Sequence, residues 1–369
     1  MKQVPLKEIC SKDSSSLKQK ELLETGTYPV YGASGIAGYL NSYHQEKEYI
    51  GIVKDGSGIG RVSFYPKKTS LIGTMQYILP KNGYNIRYIG YCLQSLDLSK
   101  YKQGAAIPHI YFRDYGERLV SITDNISEQQ RIVKRLDSAF AHIDELKANA
   151  EKQVNEARTL FQKALSKAME PKEGWEEKSL GEIGLTQTGT TPSKNDKDNY
   201  GDYIPFIRPS EIDIDGCGNI EYNSEIKLSE KGLSNGRLFK KGSILMVCIG
   251  ATIGKVGYCT QDISCNQQIN ILTPQDDYDY KYLYYAMRNP DFNERVIKEG
   301  TSAQATLPII NKGKWEKLSI SFPPLSEQHR IVSRLDSLSA NVKALEENQR
   351  KVMAECDALK QALLRKVFE

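Results

Sequence analysis

Residues 127–138 read SEQQRIVKRLDS and residues 326–337 read SEQHRIVSRLDS. Ten of the twelve positions agree at an offset of 199 residues, which chance does not supply within one chain. A repeat of this kind makes the chain a duplicated object, in which the second half must find the same solution as the first. The similarity continues weakly beyond the motif, with Leu160, Leu165 and Lys167 aligning with Leu359, Leu364 and Lys366.

Each copy opens a long helical pattern. Ser127 and Ser326 stand where N-caps are expected, and Glu128 and Glu327 place negative charge in the first turn, where the helix dipole favours it. In the second copy Ile331, Leu335, Leu338, Val342, Leu345, Val352, Cys356, Leu359 and Leu363 step by four and three, broken only at Gln349. The first copy carries Ile132, Leu136, Ala139, Ile143, Leu146, Ala150, Ala157, Leu160 and Ala164 in the same frame. No proline interrupts the first stretch before Pro171. Some 42 residues at about 1.5 Å each give a rod of roughly 60 Å. Two surface helices, each lying on its own domain, are the alternative. A narrow heptad seam of this length favours a coiled coil.

The two blocks that precede the helices also echo each other. Gly58-Ile59-Gly60-Arg61-Val62 follows the apolar run Tyr49–Val53, and Thr252-Ile253-Gly254-Lys255-Val256 follows Ile244–Cys248. Each reads as a β-hairpin with a glycine-rich turn. A tyrosine-rich segment comes next in each block (88–93 and 282–287), then a small-residue loop ending at Pro108 or Pro308. The order is block, helix, block, helix, which implies a pseudo-twofold relation within one chain.

Composition narrows the function. At 369 residues the chain has room for two or three domains. Mean hydropathy is −0.51 and no run of 18 apolar residues occurs, which argues against a transmembrane helix. The opening Met1–Glu8 lacks the apolar core of a signal peptide. Seven cysteines without a C-x-x-C pair suit a soluble cytoplasmic protein with free thiols. Residues 1–126 hold 16 Lys/Arg against 11 Asp/Glu, a net +5, whereas residues 171–325 hold 18 against 21, a net −3. Charge therefore permits a polyanionic partner without demanding one.

Catalytic signatures are weak. Gly56-Ser57-Gly58-Ile59-Gly60 sits in a hairpin, with no helix to follow as a dinucleotide loop requires. Gly250–Lys255 is one residue short of a P-loop, and Asn289-Pro290-Asp291-Phe292 lacks the second proline of the amino-methyltransferase signature. Asp215 with Glu225-Ile226-Lys227 fits a loose nuclease pattern common in chains rich in Lys and Glu. The histidines His44, His109, His142 and His329 show no ligand spacing. What remains are loops rich in Tyr, Gly, Ser, Thr and Asn with interspersed cations, suited to phosphate and base-edge contacts.

These features together resemble the specificity subunit of a type I restriction-modification system. The resemblance covers essentially the whole chain. It rests on the block–helix order and the paired helix starts, each introduced by a β-ending segment (119–122 and 318–325). It rests also on the runs YPVYGASGIAGY in the first block and TGTTPSKNDKDNYGDYIPFIRPSEI in the second.

The resemblance implies an α+β chain with two α/β target recognition domains, residues 1–126 and 171–325. Two helices, 127–170 and 326–369, would join them in an antiparallel coiled coil that sets the spacing of a split double-stranded DNA target. Methyltransferase subunits and restriction/translocase subunits would dock on the chain. The chain itself would be non-catalytic, with S-adenosylmethionine, ATP and Mg held by those partners, and no membrane is involved. A coiled-coil scaffold without DNA readout is the alternative. Chemistry and position nominate Tyr31, Ser34, Lys54, Ser57, Arg61 and Lys67 as DNA contacts in the first block. In the second they nominate Thr190, Thr191, Ser193, Lys194, Arg208, Ser210, Lys255 and Gln304.

Overall fold

The computed structural model describes residues 1–104, 108–214, 216–223, 225–301 and 308–368. The chain forms two compact units, Met1–Glu151 with Gln349–Glu369, and Lys152–Asn348. Among the described residues no helix is long and apolar enough to cross a membrane.

Unit 1 begins with β1 (Lys2–Pro5), α1 (Leu6–Ile9), β2 (Cys10–Ser14), β3 (Tyr28–Gly32) and β4 (Gly35–Leu40). β5 (Tyr49–Val53), β6 (Val62–Tyr65), β7 (Ser70–Leu71) and β8 (Met75–Pro80) follow. Then come α2 (Ile86–Ser95), α3 (Phe112–Tyr115), β9 (Leu119–Ile122) and the start of α4 (Ile126–Ala168). Three sheets result, ordered β2-β8-β5-β6, β4-β3-β7 and β1-β9. All five residues of β5 are buried, as a continuous apolar run in an interior strand should be. Gly60 closes the β5–β6 turn at φ +82°, with Leu98 and Ser99 close against it, so a side chain there would be both strained and crowded.

Unit 2 repeats this plan. Its elements are β10 (Glu176–Ser179), α5 (Leu180–Ile183), β11 (Gly184–Thr188), β12 (Tyr200–Ile207), β13 (Lys227–Leu228) and α6 (Glu230–Ser234). β14 (Ile244–Val247), β15 (Val256–Tyr258), β16 (Ser264–Cys265) and β17 (Ile269–Pro274) follow. The unit continues with α7 (Tyr280–Arg288), α8 (Pro290–Thr301), α9 (Lys312–Trp315), β18 (Ser319–Phe322) and the start of α10 (Leu325–Phe368). The sheets are β11-β17-β14-β15, β13-β12-β16 and β10-β18, the counterparts of those in unit 1. β3 pairs β7 in parallel, and β12 pairs β16 in parallel.

The repeated motif fastens each helix to its block. Gln129, fully buried, accepts from the Asn85 N–H (2.8 Å) at the start of α2 and donates to the Thr123 carbonyl (2.9 Å). Gln328 does the same in unit 2, accepting from the Asp279 N–H (3.1 Å) and donating to the Pro323 carbonyl (3.0 Å). The motif's aspartates hold the next turn. Asp137 accepts from Tyr91 and from Arg87 (2.7 Å), and Asp336 accepts from Tyr285 (2.7 Å) and Lys281 (2.6 Å). Its apolar positions, Ile132, Val133 and Leu136 or Ile331, Val332 and Leu335, enter the cores.

The caps differ from expectation. Asn125, not Ser127, accepts from the first free N–H groups of α4, those of Ser127 and Glu128. In α10 the Pro324 carbonyl accepts from Glu327 and Gln328, so Ser326 lies inside the first turn. Within unit 1 the helices run antiparallel, Lys360 meeting Asp144 (2.5 Å) and Lys147 meeting Asp357 (2.7 Å). Within unit 2 Arg158 meets Glu346 (2.6 Å).

The heptad frame also needs correction. Leu146, Leu160 and Leu359 are 55%, 66% and 49% exposed, while Phe161, Leu165 and Leu364 are buried. A straight helix lags a seven-residue repeat by about 20° per heptad, so four heptads accumulate about 80°. That nearly equals the roughly 100° between successive residues, and the seam passes to the next position.

Candidate nucleic-acid interface

In unit 1 three loops meet at one end of the sheets. Tyr31 lies near the end of β3, the β3–β4 turn carries Ala33 and Ser34, and the Arg61 guanidinium donates to the Ala33 carbonyl. Tyr31 packs on Tyr65, ring centroids 5.0 Å apart. The glycine-rich turn is pinned from behind, where Gly56 N–H donates to the Pro108 carbonyl (3.1 Å) and Ile110 N–H to the Lys54 carbonyl (3.0 Å). Ser34, Ser57 and Arg61 are exposed on this end, and Lys54 is half-buried. Beside them Asp55 pairs with His109, whose ring lies 4.0 Å from that of Tyr111.

Lys67 is not part of this group. It precedes β7, which runs parallel to β3 with Ser70 opposite Val30, so Lys67 lies toward the start of β3. Ser34 sits in the turn at the other end of that strand.

Unit 2 holds a cleft of about 820 Å³ lined by Thr191, Lys194, Tyr200, Arg208, Lys227 and the turn Asn266-Gln267-Gln268, among others. Of the nominated residues it gathers Thr191, Lys194 and Arg208. Thr190 anchors the wall, its N–H donating to the Cys265 carbonyl (2.9 Å). Ser193 is exposed in the same loop. Lys255 lies elsewhere, in the β14–β15 turn beside Gly254. Gln304 and Asp215 fall outside the described residues.

Two nominees are already engaged. Glu211 is buried, and Arg208 binds it through Nε (3.0 Å) and Nη2 (2.5 Å), a pairing that raises the guanidinium's proton affinity further. Ser210 donates to the same carboxylate (3.0 Å). Arg208 and Ser210 therefore serve first to satisfy a buried charge, leaving the Arg208 Nη1 edge outside that pairing.

The amide-rich turn was not foreseen. Its signal was present, since three consecutive carboxamides between the buried β16 and the mostly buried β17 have no reason of packing to be there. Glu225 and Lys227 of the nuclease-like pattern do line the cleft. Among the described residues no group of three or more His, Cys, Asp or Glu is placed to hold a metal ion. Burial pushes the Cys248 thiol up to about 11 and that of Cys10 to about 12, so both are protonated and poor nucleophiles near neutrality.

The family model for the type I restriction modification DNA specificity domain matches residues 1–156 and again 172–354. The specificity subunit of the Escherichia coli type I restriction enzyme EcoR124I/EcoR124II is 27% identical over 93% of this chain and 88% of its own. The MjaIX specificity subunit of Methanocaldococcus jannaschii is 29% identical over 49% of this chain, and the match spans only 42% of that protein's length. A chain solved in work on assembly and conformational transition of a type I R-M system shares the fold, with a TM-score of 0.75 at 19% identity over 99% of this chain and 96% of its own.

Proposed function

The chain belongs to the family of type I restriction modification DNA specificity domains, and we propose that it is the sequence-reading subunit of such a complex, recognising a two-part duplex target. The observation that carries this reading is one scaffold present twice with different side chains on equivalent loops. The β5–β6 and β14–β15 turns are held alike, Gly56 by the Pro108 carbonyl and Gly250 by that of Pro308, yet they display different residues. One scaffold with two sets of loops suits two different half-sites.

Unit 1 offers Arg61, Ser57 and Ser34 to DNA, and unit 2 offers Lys194, Lys227 and the amide turn. Cations hold phosphates and polar side chains read base edges. Methyltransferase and restriction/translocase subunits supply the chemistry, with S-adenosylmethionine, ATP and Mg in their sites. This chain chooses where that chemistry happens.

The test is selection from a randomised duplex library by the chain copurified with its methyltransferase partners. A split motif with two defined halves and an undefined spacer is expected, bound with an affinity that falls as salt rises. No enriched motif and no salt-dependent affinity would leave a scaffold that does not read DNA.

A further inference from the structure

The two units bring the same pair of loops together by different means. In unit 1 the turn Ile72–Thr74 joins β7 to β8. Ile72 N–H donates to the Tyr31 carbonyl (2.9 Å) and Met75 N–H to that of Ile72 (3.0 Å). In unit 2 Asn266–Gln268 joins β16 to β17 in the same way. Asn266 N–H donates to the Ile207 carbonyl (3.1 Å) and Ile269 N–H to that of Asn266 (3.3 Å). The backbone is alike, but Ile-Gly-Thr stands in one unit and Asn-Gln-Gln in the other.

The facing loop changes with it. Leu17 lies three residues past β2, and Gly73 N–H donates to its carbonyl (2.8 Å), closing the turn backbone to backbone. Thr191 lies three residues past β11, and its hydroxyl meets Gln267 Oε1 at 2.5 Å. A contact that is purely structural in unit 1 is made by side chains at the cleft in unit 2.

The hydrogen bonds fix how these amides face. Gln268 N–H donates to Asn266 Oδ1 (3.1 Å), so the Asn266 Nδ2 must be the donor to Gln268 Oε1 (3.0 Å). Gln268 keeps its amide nitrogen and one lone pair of an oxygen already held toward Asn266. The Thr191 hydroxyl, donating to Gln267 Oε1, leaves that oxygen a second lone pair beside the Nε2 donors. Gln267 and Gln268 are exposed and both line the cleft, with Lys194 and Lys227 on its walls. An acceptor and a donor side by side on one carboxamide match the N6–H and N7 edge of adenine in the major groove.

We propose that Asn266–Gln268 is the base-reading turn of unit 2, with Gln267 reading an adenine and Thr191 as its positioning residue. This rests on the DNA-reading function proposed above. It places base readout of unit 2 outside its glycine-rich turn, at a turn whose counterpart in unit 1 is closed backbone to backbone.

The test uses the full chain with its methyltransferase partners and the randomised duplex library. Gln267→Ala should leave one half of the motif untouched and lose adenine at a single position of the other. Affinity for the wild-type site should fall roughly 5- to 100-fold. Thr191→Val should soften the preference at that same position, and Thr191→Ser should restore it. Gln267→Glu, of the same shape, should exchange adenine for cytosine there, because a carboxylate accepts from the cytosine amino group. That variant decides the matter if Gln267→Ala erases the entire half-motif by unfolding unit 2. An unchanged motif in Gln267→Glu, or an equal loss across all sequences, would overturn the proposal while DNA reading stands. A wild-type complex that enriches no motif would remove the DNA reading itself.

Discussion

Arg61 and Arg208 look equivalent in the sequence, each a cation in a loop with Gly, Ser or Pro beside it, and the structure separates them. Arg208 is tied to the buried Glu211. Arg208→Ala leaves that carboxylate with the Ser210 hydroxyl and the residue 208 N–H as partners. A loss of about 1 kcal/mol is expected, at the low end for an under-satisfied buried acceptor because those two bonds remain. Chemical denaturation of the variant would show it as a lower midpoint at unchanged slope. Arg61 is exposed and uses one donor on the Ala33 carbonyl, and its remaining donors are expected to hold a phosphate. Arg61→Ala should weaken binding evenly across sequences and reduce the salt slope by about one, with the motif unchanged. Relaxed discrimination at one base would instead make it a reader. The sequence nominated these loops but did not show which of their residues are already engaged within the fold. A pairing such as Arg208 with Glu211 depends on the burial of the carboxylate, and residue type does not report burial.

At the scale of elements, the helices bear on the blocks through a few repeated polar contacts. Tyr285 donates to Asp336, as Tyr91 does to Asp137. Tyr285→Phe removes a hydrogen bond to a charged group and should cost about 1 kcal/mol, discounted because Asp336 keeps Lys281 and some exposure. The exposed pair Lys147–Asp357 should show a coupling of only about 0.5 kcal/mol in a double-mutant cycle. The tyrosines also predict a pH response. Burial first, and then the neighbouring Asp137, push the Tyr91 phenol up to about 12, and burial pushes Tyr88 to about 12 as well. A folded-state pKa above the unfolded value of 10.0 means that the folded protein holds protons the unfolded chain releases. Stability is then full below pH 10 and lost as pH rises from 10 toward 12. The part of the phenolate absorbance that disappears in the Tyr88→Phe, Tyr91→Phe double variant should therefore rise together with loss of circular dichroism in that window, and that part appearing well before unfolding would contradict the assignment. The helices themselves were legible, because a repeat motif followed by long 4–3 spacing, with a single polar break in each copy, has few other readings. Their buried face was legible only near the motif. An extrapolated heptad runs off a straight helix within four repeats, so Leu160 turns outward and Phe161 inward.

For the whole molecule, the duplication was readable because the two copies keep Gln and Asp where each block must be fastened. The strands of the small sheets were not, since β7, β13 and β16 are two residues long and carry no periodicity. Under the proposed function, two like units with unlike loops should read independently. Exchanging residues 171–325 for the corresponding block of a relative should change one half of the target and leave the other, and a change in both halves would contradict independence. The central claim, that this chain selects the DNA sequence its complex modifies, has one direct test. Methylation should be mapped across the genome of a host carrying the chain with its methyltransferase partners, with and without the gene for the chain. A split methylated motif that is present with the gene and absent without it is the predicted result. The same motif persisting after deletion, or no motif attributable to those partners in its presence, would contradict the claim.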